Sequence, residues 1–150
     1  MPDIQRPTRG LKNRNPGNLR FNPAVKWKGL TGQDNKGFCV FNSDEAGIRA
    51  AVIDLHTDYV RDHQCSVLAL IAEYAPPVEN DTKNYAKFVA DRLGVDPLAT
   101  IPFTPHTAEE LIRAIIKMEN GIQPYPDAVI VEGVAAAFAQ FAPKTIGAKA

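Results

Sequence analysis

Long apolar runs are missing from this 150-residue chain, and so is the apolar N-terminal segment of a signal peptide. No stretch approaches the roughly 18 apolar residues of a membrane-spanning helix, so a protein without membrane insertion and without its own export signal is expected. Cysteine is scarce. Cys39 and Cys65 are the only thiols, too few for a disulfide framework, and they read as free, buried side chains. His56, His63 and His106 are scattered, and neither a His-Glu-x-x-His nor a Cys-x-x-Cys spacing occurs, so no metal site is expected. Charge of one sign is also lacking: 17 basic residues cancel 17 acidic ones with no block of like charge, which argues against nucleic acid as a partner. Only the segment from Arg6 to Lys28 is locally basic, either as a solvated surface or as the complement of an anionic partner.

What the chain does have is enough length for one core and a set of well-punctuated helices. One domain over residues 11–142 is expected, preceded by a loose arm (1–10) and followed by a frayed tail (143–150). The clearest helix covers 107–121. Thr107 and Glu110 have capping-box spacing, Leu111, Ile112, Ala114, Ile115 and Met118 form an apolar stripe, and Gly121 stops it. Glu119 falls in the last turn of that stripe. There the negative end of the helix dipole and partial burial both raise a carboxyl pKa, as a general acid requires; a solvated helix-end carboxylate is the plainer explanation.

Ahead of this helix, Asn15-Pro16-Gly17-Asn18 predicts a tight turn, with proline presetting φ and glycine taking a positive φ. Extended segments at 19–21 and 27–30, with a connection through 33–37 into 38–41, predict a small β hairpin. Trp27, the single tryptophan, is either core or a platform for a sugar ring. Asn42 or Ser43 caps a helix with Glu45 at the capping-box position and Ile48, Val52, Leu55 and Tyr59 as its stripe. Three more helices follow the same logic: 66–74, ended by Pro76 and Pro77; Asn80 or Asp81 to Gly94, with Tyr85, Phe88, Val89 and Leu93 inward; and one from Asp127 through Ile130, Val134, Phe138 and Phe141. The expected fold class is therefore mainly α (α+β), about five helices plus a small β hairpin.

Three motifs, Arg14-Asn15-Pro16-Gly17-Asn18-Leu19-Arg20, Phe38 to Arg49 (FCVFNSDEAGIR) and Met118-Glu119-Asn120-Gly121, together resemble phage-encoded proteins of the lysozyme-like superfamily, virion proteins related to the muramidase of cystovirus particles. The resemblance spans roughly residues 9–135. The middle motif is also similar to bacterial autolysin glucosaminidases, in which the helix bearing the catalytic acid comes first. Here the corresponding helix comes last, so the resemblance implies a circularly permuted lysozyme-like domain.

The resemblance implies a lytic transglycosylase or muramidase that cleaves the MurNAc-GlcNAc β-1,4 bond of peptidoglycan glycan strands without metal or organic cofactor. The enzyme would be carried in a phage virion, or would pass from the host cytoplasm to act in the periplasm. By the same resemblance Glu119 is the catalytic acid and Tyr85 assists it, while Asn15, Asn18, Trp27, Tyr74, Asn80 and Tyr125 bind substrate. Most have plainer explanations: Tyr85 as core, Asn80 as a cap, Asn15 and Asn18 as turn residues. Tyr125, between two prolines, is expected on an exposed loop. Glu45 is the alternative catalytic acid, although helix capping accounts for it. Asp34 is the available second carboxylate, although its hairpin turn accounts for it. Hydrolases normally use two carboxylates, so a single acid predicts a 1,6-anhydro product. The alternative function is a non-catalytic virion structural protein or glycan-binding module of the same fold, with other virion proteins as partners.

Overall fold

Six helices and one two-stranded hairpin make up the described residues, 4–74 and 81–141, of the computed structural model. The first helix, α1 (Arg9–Lys12), is one turn that was not expected, capped by the Thr8 side chain and anchored by buried Leu11. The segment expected as an N-terminal arm is fastened to the body by Arg6, whose guanidinium forks onto Asp44 with both contacts at 2.9 Å.

Strands β1 (Leu30–Gln33) and β2 (Cys39–Phe41) pair antiparallel, with Leu30 opposite Phe41 and Gln33 opposite Cys39. The ladder is irregular between Leu30 and Gly32, and residues 19–21 contribute a single bridge, Arg20 to Phe38. Asp34 makes the hairpin turn by accepting from Lys36 N at 2.8 Å and Phe38 N at 3.0 Å. The Phe38 amide is the main reason its pKa falls to about 2.

Ser43 caps α2 (Asp44–Val60) by accepting from Ala46 N. This makes Glu45 the second helical residue, exposed and one place short of closing a capping box, while its charge still suits the positive end of the helix. The expected stripe of α2 is buried at Ile48, Val52 and Leu55, but so are Ala50, Ala51 and Ile53. More than one side of α2 is therefore covered. Its main partner is α6 (Asp127–Phe141), and the two helices touch where Gly133 meets Ile48: a Cβ on Gly133 would stand 2.5 Å from Ile48 Cγ2.

Helices α3 (Val67–Tyr74) and α4 (Thr82–Leu93) pack against each other; residues 75–80 between them lie outside the described residues, and the expected site residue Asn80 is among them. Asp81 occupies the N-cap position without a capping bond and accepts instead from Asn84. In α4 the buried positions are Thr82, Ala86, Val89 and Ala90. Phe88, expected inward, is 58% exposed, because the small residues let α4 approach its neighbours closely and turn the larger ring outward.

At the centre lies α5 (Pro105–Asn120), which starts earlier than expected: Thr104 is its cap and Pro105 sits in its first turn, where a missing N–H costs nothing. Leu111, Ile112, Ile115 and Ile116 are fully buried, each stabilising by roughly 1.5–3 kcal/mol relative to exposure. Glu110 closes no capping box; it is buried and forked by Arg92, which holds its pKa below the usual carboxylate range. Gly121 ends the helix with φ +80°, as its sequence position predicts. An aromatic cluster of His56, Tyr59, Phe103, Phe138 and Phe141 seals one flank, with His56 stacked on Phe141 at 3.7 Å between ring centroids. No described helix is long and apolar enough to cross a membrane.

Candidate functional site

The turn Asn15-Pro16-Gly17-Asn18 is held from three directions by its own carbonyls. Asn15 O accepts from Asn18 N at 3.0 Å, Pro16 O from Asn120 Nδ2 at 2.8 Å, and Gly17 O from the Tyr74 hydroxyl at 2.8 Å. The helix end of α5 and the last residue of α3 thus converge on one loop. The positive φ falls on Asn18 (+53°) and not on Gly17 as expected. Asparagine tolerates that conformation, and Gly17 is needed for space, since a Cβ there would lie 2.0 Å from the Tyr74 hydroxyl oxygen.

Beside this turn opens a cavity of about 560 Å³ lined by Asn18, Arg20, Trp27, Phe38, Tyr74 and Glu119, and by three acids that were not singled out in the sequence, Asp54, Asp58 and Glu73. Asn18 Nδ2 donates to Glu119 Oε1 at 2.9 Å. Asp54 and Asp58 stand four residues apart on one face of α2, and Glu73 comes from α3. Asp58 is only 8% exposed, and burial, its like-charged neighbours Asp54, Glu73 and Asp62, and a hydrogen bond to Glu73 push its pKa up to about 7. Burial raises Asp54 as well, with Glu73 adding to it. The Tyr74 hydroxyl is pushed well up by burial and by Asp54, Glu119 and Asp58.

Such a cleft combines apolar ring faces with amide and carboxyl groups, which suits a sugar: rings cover its apolar face while polar groups meet its hydroxyls and N-acetyl amides. Carboxylate oxygens of Asp58, Asp62 and Glu73 also lie within 4.8 Å of one another, close enough to share a cation, although a shared proton explains the grouping equally well.

Of the expected site residues, the cleft gathers Glu119, Asn18, Trp27 and Tyr74. Five others lie elsewhere. Asn15 is fully buried and its side chain is consumed by Leu19 O, Cys39 O and Leu19 N, so it shapes the turn and cannot reach a ligand. Tyr125, expected on an exposed loop, is 3% exposed, because the Pro-flanked segment folds back over Asp44, Arg6 and Arg14. Tyr85 lines a different groove, with Phe88 and Arg113 between α4 and α5. Glu45 and Asp34 do not line the cleft; one sits in the first turn of α2 and the other in the hairpin turn.

The locally basic N-terminal segment is largely taken up internally. Arg6 and Arg14 pair with Asp44, Arg9 with Asp34, and Arg20 lies over the Phe38 ring at 4.4 Å. Cys39 and Cys65 are free, the first buried and the second partly so. The acids missed in the sequence had one signal: Asp54 and Asp58 are an i, i+4 pair of like charges, which destabilises a helix unless something else requires it.

No family model matches the chain. Among curated proteins it is 36% identical over 125 residues to Protein P5 of Pseudoalteromonas phage PM2, an alignment covering 81% of this chain and 77% of that protein. This corrects the assignment to lysozyme-like muramidases and glucosaminidases, and with it the inferred permutation. The kinship found is to a phage protein of another description. The motifs behind that assignment have local explanations, since a Pro-Gly turn and a Ser-capped helix arise wherever a chain must turn tightly or start a helix.

Proposed function

The chain belongs to the family of phage Protein P5, and from that premise we propose that it is a structural component of a phage particle whose Glu119 cleft binds the N-acetylated glycan backbone of the host cell wall. The observation that carries the proposal is the kinship across 81% of the chain, which includes most of the elements that build the cleft. Supporting the glycan half are the Trp27 and Phe38 rings beside the Asn18 amide and the carboxyl groups in one cavity. Other particle proteins are the expected partners, and the particle is the expected location.

Mass spectrometry of gradient-purified, salt-washed particles of the encoding phage should find the chain in a fixed ratio to the other particle proteins. A chain confined to the soluble lysate refutes the particle assignment. Titration of the 15N-labelled protein with chitotetraose should shift resonances around Asn18, Trp27 and Glu119; an unperturbed spectrum at millimolar sugar refutes the glycan assignment.

Bond cleavage in the same cleft is favoured by one specific observation. Asp58 keeps a proton near neutral pH, and it lines the same cavity as Glu119. Two carboxyl groups with different environments are the usual equipment for glycoside hydrolysis, so Asp58 in the same lining as Glu119 supports hydrolysis over the single-acid route to a 1,6-anhydro product. Zymography on purified peptidoglycan separates an active cleft from a binding one.

A further inference from the structure

Asn18 combines two unusual features. Its backbone is left-handed, and its side-chain Oδ1 is buried without a hydrogen-bond partner among the described residues, while Nδ2 donates to Glu119 at 2.9 Å. A buried amide oxygen left unsatisfied is costly, on the order of 1–3 kcal/mol, and would be relieved if the side chain turned elsewhere. Little freedom to turn exists. The backbone on both sides of Asn18 is pinned, by the Tyr74 hydroxyl on Gly17 O and by the Asn15 side chain on Leu19 N and O. Behind the amide, Gly10 leaves only enough room for a hydrogen, since a Cβ there would come within 2.8 Å of Asn18 Oδ1. The fold therefore holds the amide with its N–H toward the carboxylate.

Resting on the proposed glycan cleft, we infer that Asn18 is a positioning residue for Glu119: it aims the carboxylate into the cleft and favours its ionised form, so that Glu119 meets a sugar as a hydrogen-bond acceptor. An amide donor stabilises a carboxylate and not a carboxylic acid, which has its own proton to place. The donor acts against its described surroundings, since Asp54 and Asp58 from α2 and Glu73 from α3 contribute negative charge, the Tyr74 hydroxyl remains neutral, and among the described residues of the cleft lining only Arg20 is cationic. The C-terminal end of α5 opposes ionisation too. Without the Asn18 donor these groups would leave Glu119 more readily protonated.

The test is an NMR titration of the full chain without ligand, following the Glu119 carboxyl carbon and the Asn18 side-chain nitrogen. In the wild type both resonances should move with one midpoint, and Glu119→Gln should abolish the Asn18 transition. Asn18→Gly and Asn18→Asp both suit a positive φ, and each should raise the Glu119 midpoint by about one pH unit or more. The acid limb of chitotetraose affinity should shift by the same amount. A merely structural asparagine would lower the melting temperature and leave the midpoint alone. The inference is overturned if folded variants keep the wild-type midpoint, or if the Asn18 nitrogen in the wild type does not sense Glu119. That second comparison stands even if both Asn18 variants fail to fold. Coupled titration without any chitotetraose binding would instead refute the glycan assignment and leave the positioning role intact.

Discussion

Replacing Asp58 by asparagine should make the protein more stable at pH 8 and leave it nearly unchanged at pH 4.5. Asp58 has a folded-state pKa of about 7 against an ordinary value of 3.8. Between those two values the folded chain binds more protons than the unfolded one, so stability falls as pH rises; above about 7 the carboxyl is ionised in both states and the full cost is present. The rise from 3.8 to about 7, at about 1.4 kcal/mol per pH unit, sets a ceiling of about 4 kcal/mol. The carboxyl borders an open cleft, where solvent screening brings the expected gain to about 1–2 kcal/mol. Asparagine keeps the shape and a hydrogen bond to Glu73 while removing one of the clustered charges. Thermal melts at pH 4.5 and 8 provide the assay, and a gain of 1–2 kcal/mol corresponds to roughly 3–6 °C for a chain of this length. An offset between variant and wild type that is the same at both pH values, or a less stable variant at pH 8, refutes the account of Asp58 as a strained, proton-holding acid.

Four further outcomes follow from the geometry. Glu119→Gln should abolish chitotetraose binding by calorimetry with the melting temperature unchanged within about 2 °C, and if the cleft cleaves glycan it should reduce clearing on a zymogram by on the order of 10²-fold or more; Glu45→Gln should leave both activities in place. Ile115→Ala, at a fully buried position in α5, should cost about 2–5 kcal/mol in urea unfolding. Gly133→Ala should cost about 1–3 kcal/mol, because its methyl group would meet Ile48 between α2 and α6; a neutral effect would mean that these helices can part without penalty. Arg92→Ala should destabilise at pH 7 and much less at pH 3: the pair lowers the Glu110 pKa, so its contribution is present above the unfolded carboxylate value and is lost as pH falls through the folded one. Melting temperatures of both proteins at the two pH values check that sign.

By itself the sequence determined five of the six described helices and several of their ends. Ser43, Gly94 and Gly121 act where they stand, because a cap hydroxyl or a left-handed glycine satisfies backbone groups within one turn of itself. The stripes of α2 and α5 were equally legible, since spacing along a helix is a local property, and Ile48, Leu55, Leu111 and Ile115 are buried as that spacing predicts. The same local signals misled where a neighbour decided the outcome. Glu110 had capping-box spacing but answers to Arg92, and Phe88 had stripe spacing but yielded the inward face to alanines that let α4 pack closely.

Kinship was misjudged for a related reason: short turn-and-cap motifs recur across folds, whereas alignment over 125 residues does not arise from local chemistry. Within the cleft, Glu119 and Asn18 were visible as residue types, but only the tertiary structure decided that they touch across 101 positions of sequence. Asp54, Asp58 and Glu73 were invisible as a group, because α2 and α3 bring them together and their altered proton affinity exists only once burial and mutual repulsion act. Asn15 and Tyr125 lost their candidacy in the same way: polar side chains at a turn and in a Pro-rich loop can face either direction, and only the packing of the whole chain turned both inward.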